Sequence, residues 1–330
     1  MTTVWIWVLF IAFVLVMLAL DLGVLNRKVH VISTREALVW AGFCALLAAG
    51  FTGVVYCLYE YNWAGFGEGI RHDLNGRDAA VLFFTGWLIE QSLSLDNIFV
   101  IALIFAYFQV PRIYQHRTLF WGILGALIMR GAMIAAGAAL IHRFEWIVYV
   151  FGGLLIVTAV KMLLAQHDEV HPERNPLVRL ARRLYPVSSG FEQERFFTRI
   201  HGRRAITPLF LVLLVVESTD VLFAVDSIPA IFAITSDPFL VFTSNVFAIL
   251  NLRSLYFALA GLMEKFRYLK TSLVFILAFV GTKMMLSLHY KIPAEASLAV
   301  IGATLVVSII ASVVSQKRLA PSAAARLPDE

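Results

Sequence analysis

The 330-residue sequence is 60% hydrophobic and 15% charged, with a mean hydropathy of +0.81. These values exclude an ordinary soluble globular domain. The net charge of +5 belongs to the loops between apolar runs, so it reports topology and does not imply nucleic-acid binding.

Runs near the ~20 residues needed to cross a bilayer recur at 4–25, 37–58, 79–106, 118–140, 146–165, 206–235, 239–262, 271–289 and 297–315. They predict an all-α, polytopic membrane protein with about nine transmembrane helices. The first run has no basic leader and exceeds the apolar core of a signal peptide, so it reads as a retained helix. Cys44 and Cys57 lie in the second run, about 20 Å apart along one helix, too far to bridge. They read as packing residues. The Gly/Ala run at 131–139 suits close helix packing. The tryptophans at 5, 7, 63, 87, 121 and 146 read mostly as interface anchors. No P-loop, nucleophile elbow or HExxH is present, and Gly65, Gly67, Gly69 and Gly76 open no helix that would cradle a phosphate.

Lys and Arg concentrate in alternate loops: Arg27, Lys28 and Arg35, then Arg112 and Arg117, then eight arginines in 166–205, then Lys265, Arg267 and Lys270, then Lys317, Arg318 and Arg326. The opposite loops hold only Arg71, Arg77, Arg143 and Lys291. The positive-inside rule places the N-terminus outside and the C-terminus in the cytoplasm. The 166–205 segment reads as a solvated basic linker, with a short amphipathic segment on the membrane surface as the alternative. The tail, 316–330, reads as disordered.

Within the apolar runs one motif occurs twice. Glu90-Gln-Ser-Leu-Ser-Leu-Asp96-Asn97 is matched by Asp220-Val-Leu-Phe-Ala-Val-Asp226-Ser227-Ile-Pro229. Arg130 and Lys161 follow the first copy, Arg253 and Lys283 the second, at offsets of 130, 123 and 122 residues between partners. Each copy is three spans, 79–165 and 206–289. An odd number of spans makes the copies inverted, a common plan of secondary transporters. Two helices within 1–58 precede the repeats and one at 297–315 follows.

Charged groups within a membrane cost at least ~3 kcal/mol each at its centre, so several in matching places point to function. On helices, Glu90, Ser94 and Asn97 share one stripe with Asp96 beside it. Glu217, Asp220, Ala224 and Ser227 share another, with Asp226 beside it. Pro229 has no N–H, which deprives the Val225 carbonyl of its helical partner. The donors are oxygens throughout, and the eight histidines lie in loops or at helix ends. That set suits a hard divalent cation (Mn²⁺, Mg²⁺ or Ca²⁺) and argues against Zn²⁺ or Cu⁺. The competing reading pairs Asp96 and Asp226 with Arg130 and Arg253 as helix glue. The arginines are expected to hold one carboxylate each and to occupy the site when the ion has left. Lys161 and Lys283, nearer helix ends, are expected to snorkel. Asp21 adds an acid at the edge of the first span.

Phe-Thr-Gly-Trp-Leu-Ile-Glu90-Gln-Ser-Leu-Ser-Leu-Asp96-Asn97, Val-Glu217-Ser-Thr-Asp220-Val-Leu-Phe-Ala-Val-Asp226-Ser227-Ile-Pro229-Ala, Ala-Leu-Asp21-Leu-Gly and Asn-Leu-Arg253-Ser-Leu-Tyr resemble the TerC family, in its longer Alx-like form, over about residues 10–315. The resemblance implies a multi-pass bacterial inner-membrane protein of the LysE-like transporter superfamily, whose members are linked to manganese export and tellurium-resistance loci. It also implies that Glu90, Asp96, Asn97, Glu217, Asp220, Asp226 and Ser227 form the acidic motif.

The resulting expectation is a transporter, not an enzyme, without a prosthetic group. It exports Mn²⁺ by alternating access through a midplane carboxylate site, with proton exchange. Asp96 and Asp226 are the expected principal ligands, with the bilayer as the surrounding partner. The alternatives are an oxyanion transporter using Arg130 and Arg253, a scaffold or insertion factor docking through 166–205, and, lowest, an intramembrane aspartyl protease. Oligomeric state is left open.

Overall fold

A computed structural model describes residues 2–20, 33–61, 74–144, 146–164, 175–200, 202–259, 269–287, 290 and 292–324. Its helices are α1 (Thr2–Leu20), α2 (Thr34–Glu60), α3 (Gly76–Tyr107), α4 (Arg112–Arg143), α5 (Ile147–Leu164), α6 (Pro176–Leu184), α7 (Pro208–Phe232), α8 (Pro238–Leu259), α9 (Leu269–Leu286) and α10 (Ala294–Ala324). Seven are long and apolar enough to cross a membrane, and Val4–Leu20 and Thr271–Leu286 are shorter apolar helices. The protein is therefore an all-α, multi-pass membrane protein. Asp21, Trp63 and the 65–69 glycines lie outside the described residues.

Local chemistry sets the helix starts. Ser33 accepts from the Glu36 amide, opening α2, and Asn75 accepts from the Asp78 amide, opening α3. Asp237 accepts from the amides of Phe239 and Leu240, with Pro238 at the first turn of α8. The same Asp237 carboxylate receives the Tyr59 hydroxyl at 2.7 Å, which ties α2 to the α7–α8 turn.

The packing is crossed. α3 lies against α8 and α4 against α7, while α5 and α9 form the most extensive helix pair. α8 is the most enclosed of the long apolar helices, lying against α2, α3 and α4. α1 reaches α8 through Trp7 and Phe10, whose rings meet Phe239 and Phe242. Glycines let the backbones approach. A Cβ at Gly281 would sit 3.0 Å from the Gly152 carbonyl oxygen, and one at Gly152 would sit 3.0 Å from that of Gly281. In the 131–139 run, Gly131 and Gly137 receive the rings of Phe242 and Phe232, the close packing expected there.

Two apolar cores result. The larger takes α3 up to Leu93, α7 from Ala224 and α8 up to Ile249. The second takes α3 from Ile98, α7 up to Val216 and α8 from Leu252, together with Val178 and Ala181 of α6. On all three helices the changeover falls on polar residues: 94–97, 217–220 and 251. Asp96, Glu217 and Asp220 therefore lie at a polar layer between two greasy ones, with Glu90 and Asp226 just inside the larger core.

Four sequence expectations are corrected. The 166–205 segment is no mere linker: from 175 onward it folds into α6 and a hairpin, β1 (Phe197–Ile200) paired antiparallel with β2 (Arg203–Ile206). Asn175 caps α6 and bonds Ser218 of α7, while Arg117 pairs with Glu194 at 3.3 Å and lies over the Phe196 ring. Apolar residues spaced among the arginines gave the segment a buried side. The final helix continues to Ala324, into the stretch where a disordered tail is expected and through Pro321. Trp87 is no interface anchor. It is buried at 9% exposure, because α3 carries its ring inward, whereas Trp5, Trp121 and Trp146 are exposed. Lys283 does not snorkel. It is 7% exposed and donates to Ser297 Oγ at 2.9 Å, because α10 covers it.

Candidate functional site

The site centres on Arg130 of α4, whose side chain is 1% exposed. Its Nη1 pairs with Glu90 of α3, itself wholly buried. Its Nη2 and Nε donate to the two Asp220 oxygens on α7 at 2.9 and 3.3 Å, and Nη1 reaches Ser227 Oγ at 3.5 Å. One guanidinium thus joins an acid from each copy of the motif, in the fork geometry suited to carboxylates. It takes two carboxylates where one was expected. The cluster holds two acids against one base.

Glu217 stands beside it on α7. A Cβ at Gly125 of α4 would overlap the Glu217 carboxylate, so any side chain there would make that carboxylate swing aside. One turn of α4 earlier, a Cβ at Gly122 would meet Val216 at 3.3 Å.

Asp226 is held differently. It is half-buried, accepts the Thr158 hydroxyl of α5 at 2.8 Å and feels the Lys161 ammonium. Lys161 is exposed, in keeping with a snorkelling role. Phe151 stacks on Phe232 as Thr158 meets Asp226, so α5 and α7 run antiparallel in a fixed register. Carrying that register onward sets Leu164, the end of α5, across from Asp220. The 18 described residues of α5 extend about 27 Å. Asp226 then lies about 9 Å from the level of Leu164, and Asp220 lies level with Leu164. α3 and α4, with 32 residues each or about 48 Å, extend beyond that level into the second apolar core. α7 stays helical through the buried Pro229.

The remaining motif residues of α3 lead from Glu90 into the polar layer. Glu90, Ser94 and Asn97 are all buried on one α3 stripe and Asp96 is half-buried beside it, as the helical spacing predicts. Arg253 of α8 is buried and its Nη1 lies 2.8 Å from His116 Nε2 of α4. Nearby, Tyr256 donates to Gln115 at 3.0 Å.

Sequence reasoning missed several participants. Thr158 gave only the faint signal of one hydroxyl in an apolar run, and His116 was set aside as a helix-end residue. Gln91, Asn245 and Asn251 were overlooked beside the charges. Among the described residues, Trp87 Nε1, Gln91 Nε2, Ser94 Oγ, Asn251 Oδ1 and both polar side-chain atoms of Asn245 have no hydrogen-bond partner in the protein. The Glu90 oxygens lack hydrogen-bond geometry too, but their charge is met by Arg130. A buried polar group left unsatisfied costs about 1–3 kcal/mol, so six such atoms together require an explanation.

Among the described residues, no three His, Cys, Asp or Glu side chains are arranged to hold a metal ion. The guanidinium itself lies where the acids of the two motif copies converge. The donor set around it (two carboxylates and a hydroxyl) is the hard-oxygen type, and a divalent cation could replace the guanidinium only if Arg130 moved aside.

The profile described as "Integral membrane protein TerC family" matches residues 75–320. An "Uncharacterized membrane protein" of Myxococcus xanthus is 51% identical over 322 residues, 98% of this chain and 96% of the relative. A "Putative membrane-bound redox modulator Alx" of Escherichia coli strain K12 is 43% identical over 305 residues, 92% of each chain. An "Uncharacterized membrane protein" of Rickettsia bellii is 39% identical over 308 residues, 93% of this chain and 97% of its own. No solved structure matches the chain.

Proposed function

The chain belongs to the TerC family of integral membrane proteins, and we propose that it exports a hard divalent cation, foremost Mn²⁺, from the cytoplasm across a bacterial inner membrane. The observation that carries the reading is the buried Arg130 guanidinium, shared by Glu90 and Asp220 from different halves. A buried cation between two acids marks where another cation can bind when the first withdraws. The crossed packing of α3 on α8 and α4 on α7 supports an inverted duplication, and alternating access is what such a duplication serves.

In this reading Glu90 and Asp220 are the inner ligands. Asp96, Asn97, Glu217 and Ser227 line the approach, and Asp226 receives the ion deeper in the membrane. Protons taken up by emptied carboxylates would exchange for the metal. The preference for Mn²⁺ rests on the family resemblance; the residues themselves select only a hard, oxygen-seeking ion. With the cytoplasm on the hairpin side, as the loop charges require, the acidic stripe opens toward the source of the cargo.

An oxyanion is disfavoured because Arg130 is already saturated by two acids. The redox wording in the relatives' name finds no thiol pair here, since Cys44 and Cys57 are both free cysteines of α2. A scaffold role has one observation behind it: Leu177, Leu180 and Leu184 are exposed along α6. Deleting 176–184 would abolish function in that case while amides at the motif acids were tolerated.

The deciding assay is Mn²⁺ uptake into everted membrane vesicles containing the full chain. Glu90→Gln and Asp220→Asn should each abolish uptake at unchanged protein level. Wild-type rates in both variants would refute the assignment.

A further inference from the structure

We propose that the seam where α3 meets α8 holds a chain of bound water running from Trp87 and Asn245 past the Glu90–Arg130 pair to the polar layer at 94–97. Trp87, Glu90, Gln91 and Ser94 stand at i, i+3, i+4 and i+7 of α3, so they form a single stripe. α8 lies alongside: a Cβ at Gly86 would meet Ser244 Oγ at 3.0 Å, and Asn251 donates to Gln91 at 3.4 Å. Asn245, 1% exposed, is about 100° round α8 from Ser244. That turns it toward the side where Phe242 meets Gly131 of α4, next to the helix that carries Arg130.

The partnerless atoms along this seam are chemically mixed. Trp87 Nε1 and Gln91 Nε2 are donors, Asn251 Oδ1 is an acceptor, and Ser94 and Asn245 are both. None carries a charge. A metal ion would be repelled by the N–H groups and an anion would be left without a counter-charge, whereas water both gives and accepts at every step. Buried polar atoms in folded proteins are hydrogen-bonded almost without exception, and where the protein supplies no partner, internal water making about three bonds does. The spacing of the stripe, with a polar group on every turn, suits a file of such waters. The water's role in transport rests on the export reading: it would give Glu90 hydrogen bonds while Arg130 is withdrawn.

Hydroxyl-radical footprinting of the full chain in lipid nanodiscs tests this, because radicals made from bound water oxidise the side chains beside it. Trp87 is 9% exposed and Phe83, one turn away, is 0%. After correction for intrinsic reactivity, Trp87 should be oxidised far faster than Phe83. Asn245→Leu, which replaces the amide with apolar carbons, should bring Trp87 down toward the Phe83 rate. Exposed Trp5 and Trp146 should keep theirs, which reports an intact fold. Ser94→Ala should lower the Trp87 rate in the same direction and covers the case in which the leucine variant misfolds. A Trp87 rate equal to that of Phe83 in the wild type overturns the proposal, as does a fast rate unchanged in both variants. These readouts follow water and not metal, so they can fail while export holds, and the reverse.

Discussion

Replacing Arg130 with methionine leaves two acids facing each other across the halves, with Glu90 wholly buried and Asp220 nearly so. Methionine keeps much of the volume, so the cavity term is small and electrostatics dominates. Removing one partner of a buried pair costs about 3–5 kcal/mol. At roughly 2 °C per kcal/mol for a chain of this size, the apparent Tm should fall on the order of 5–10 °C. Arg130→Lys should recover part of this, because it restores the charge without the fork. The mechanism is isolated by a double-mutant cycle with Glu90→Gln in detergent-solubilised protein, followed by intrinsic fluorescence on heating. Residues in contact should couple by about 0.5–3 kcal/mol, so Arg130→Met/Glu90→Gln should melt higher than the two single losses predict. If the losses add to within about 0.5 kcal/mol, or if Arg130→Met does not lower the Tm, the guanidinium does not hold the halves together and the account is wrong.

Thr158→Val removes the hydroxyl on Asp226; a hydrogen bond to a charged group is worth about 1.5–3 kcal/mol when buried, less at this half-buried acid, and Mn²⁺ uptake should drop while protein level holds. Gly125→Ala makes the Glu217 carboxylate swing aside, so Mn²⁺ uptake should fall while the Tm shifts by the equivalent of no more than about 1 kcal/mol, the gain in helix propensity offsetting the shift of the carboxylate; unchanged uptake would mean that the Glu217 position does not matter. Gly281→Leu wedges α9 off Gly152 and should be more destabilising than Gly125→Ala in the same melt; a wild-type Tm would mean the two backbones do not touch. Asp96→Asn and Asp226→Asn should each impair Mn²⁺ uptake in everted vesicles, and normal uptake in both would remove these residues from the path.

The spans were legible because hydrocarbon tolerates only continuous apolar helices, and the observed bounds differ from those expected by a few residues at most of the ends. The doubled motif was legible because charge in such runs is rare. What the sequence could not convey was which charge meets which. Arg130 and Asp220 are 90 residues apart, and nothing local reveals that α4 lies on α7. Gly125 looked like one small residue among many until the Glu217 carboxylate was seen against it. Lys283 read as a helix-end lysine free to reach water, and only α10, packed across it, removes that freedom. The 166–205 segment carried a readable start, Asn175 followed by Pro176, but the density of charge concealed the Val178–Ala181 face that packs on α7.

The contact between Gly152 and Gly281 has a mechanical meaning. Elsewhere the helices interlock through side chains, and sliding one past another would require many rotamers to change together. Here the two main chains approach each other while Met285, Leu155 and Ile156 close in on the glycines, so the pair is locked at one separation. Any side chain added at either glycine would therefore push apart the most extensive helix pair of the protein.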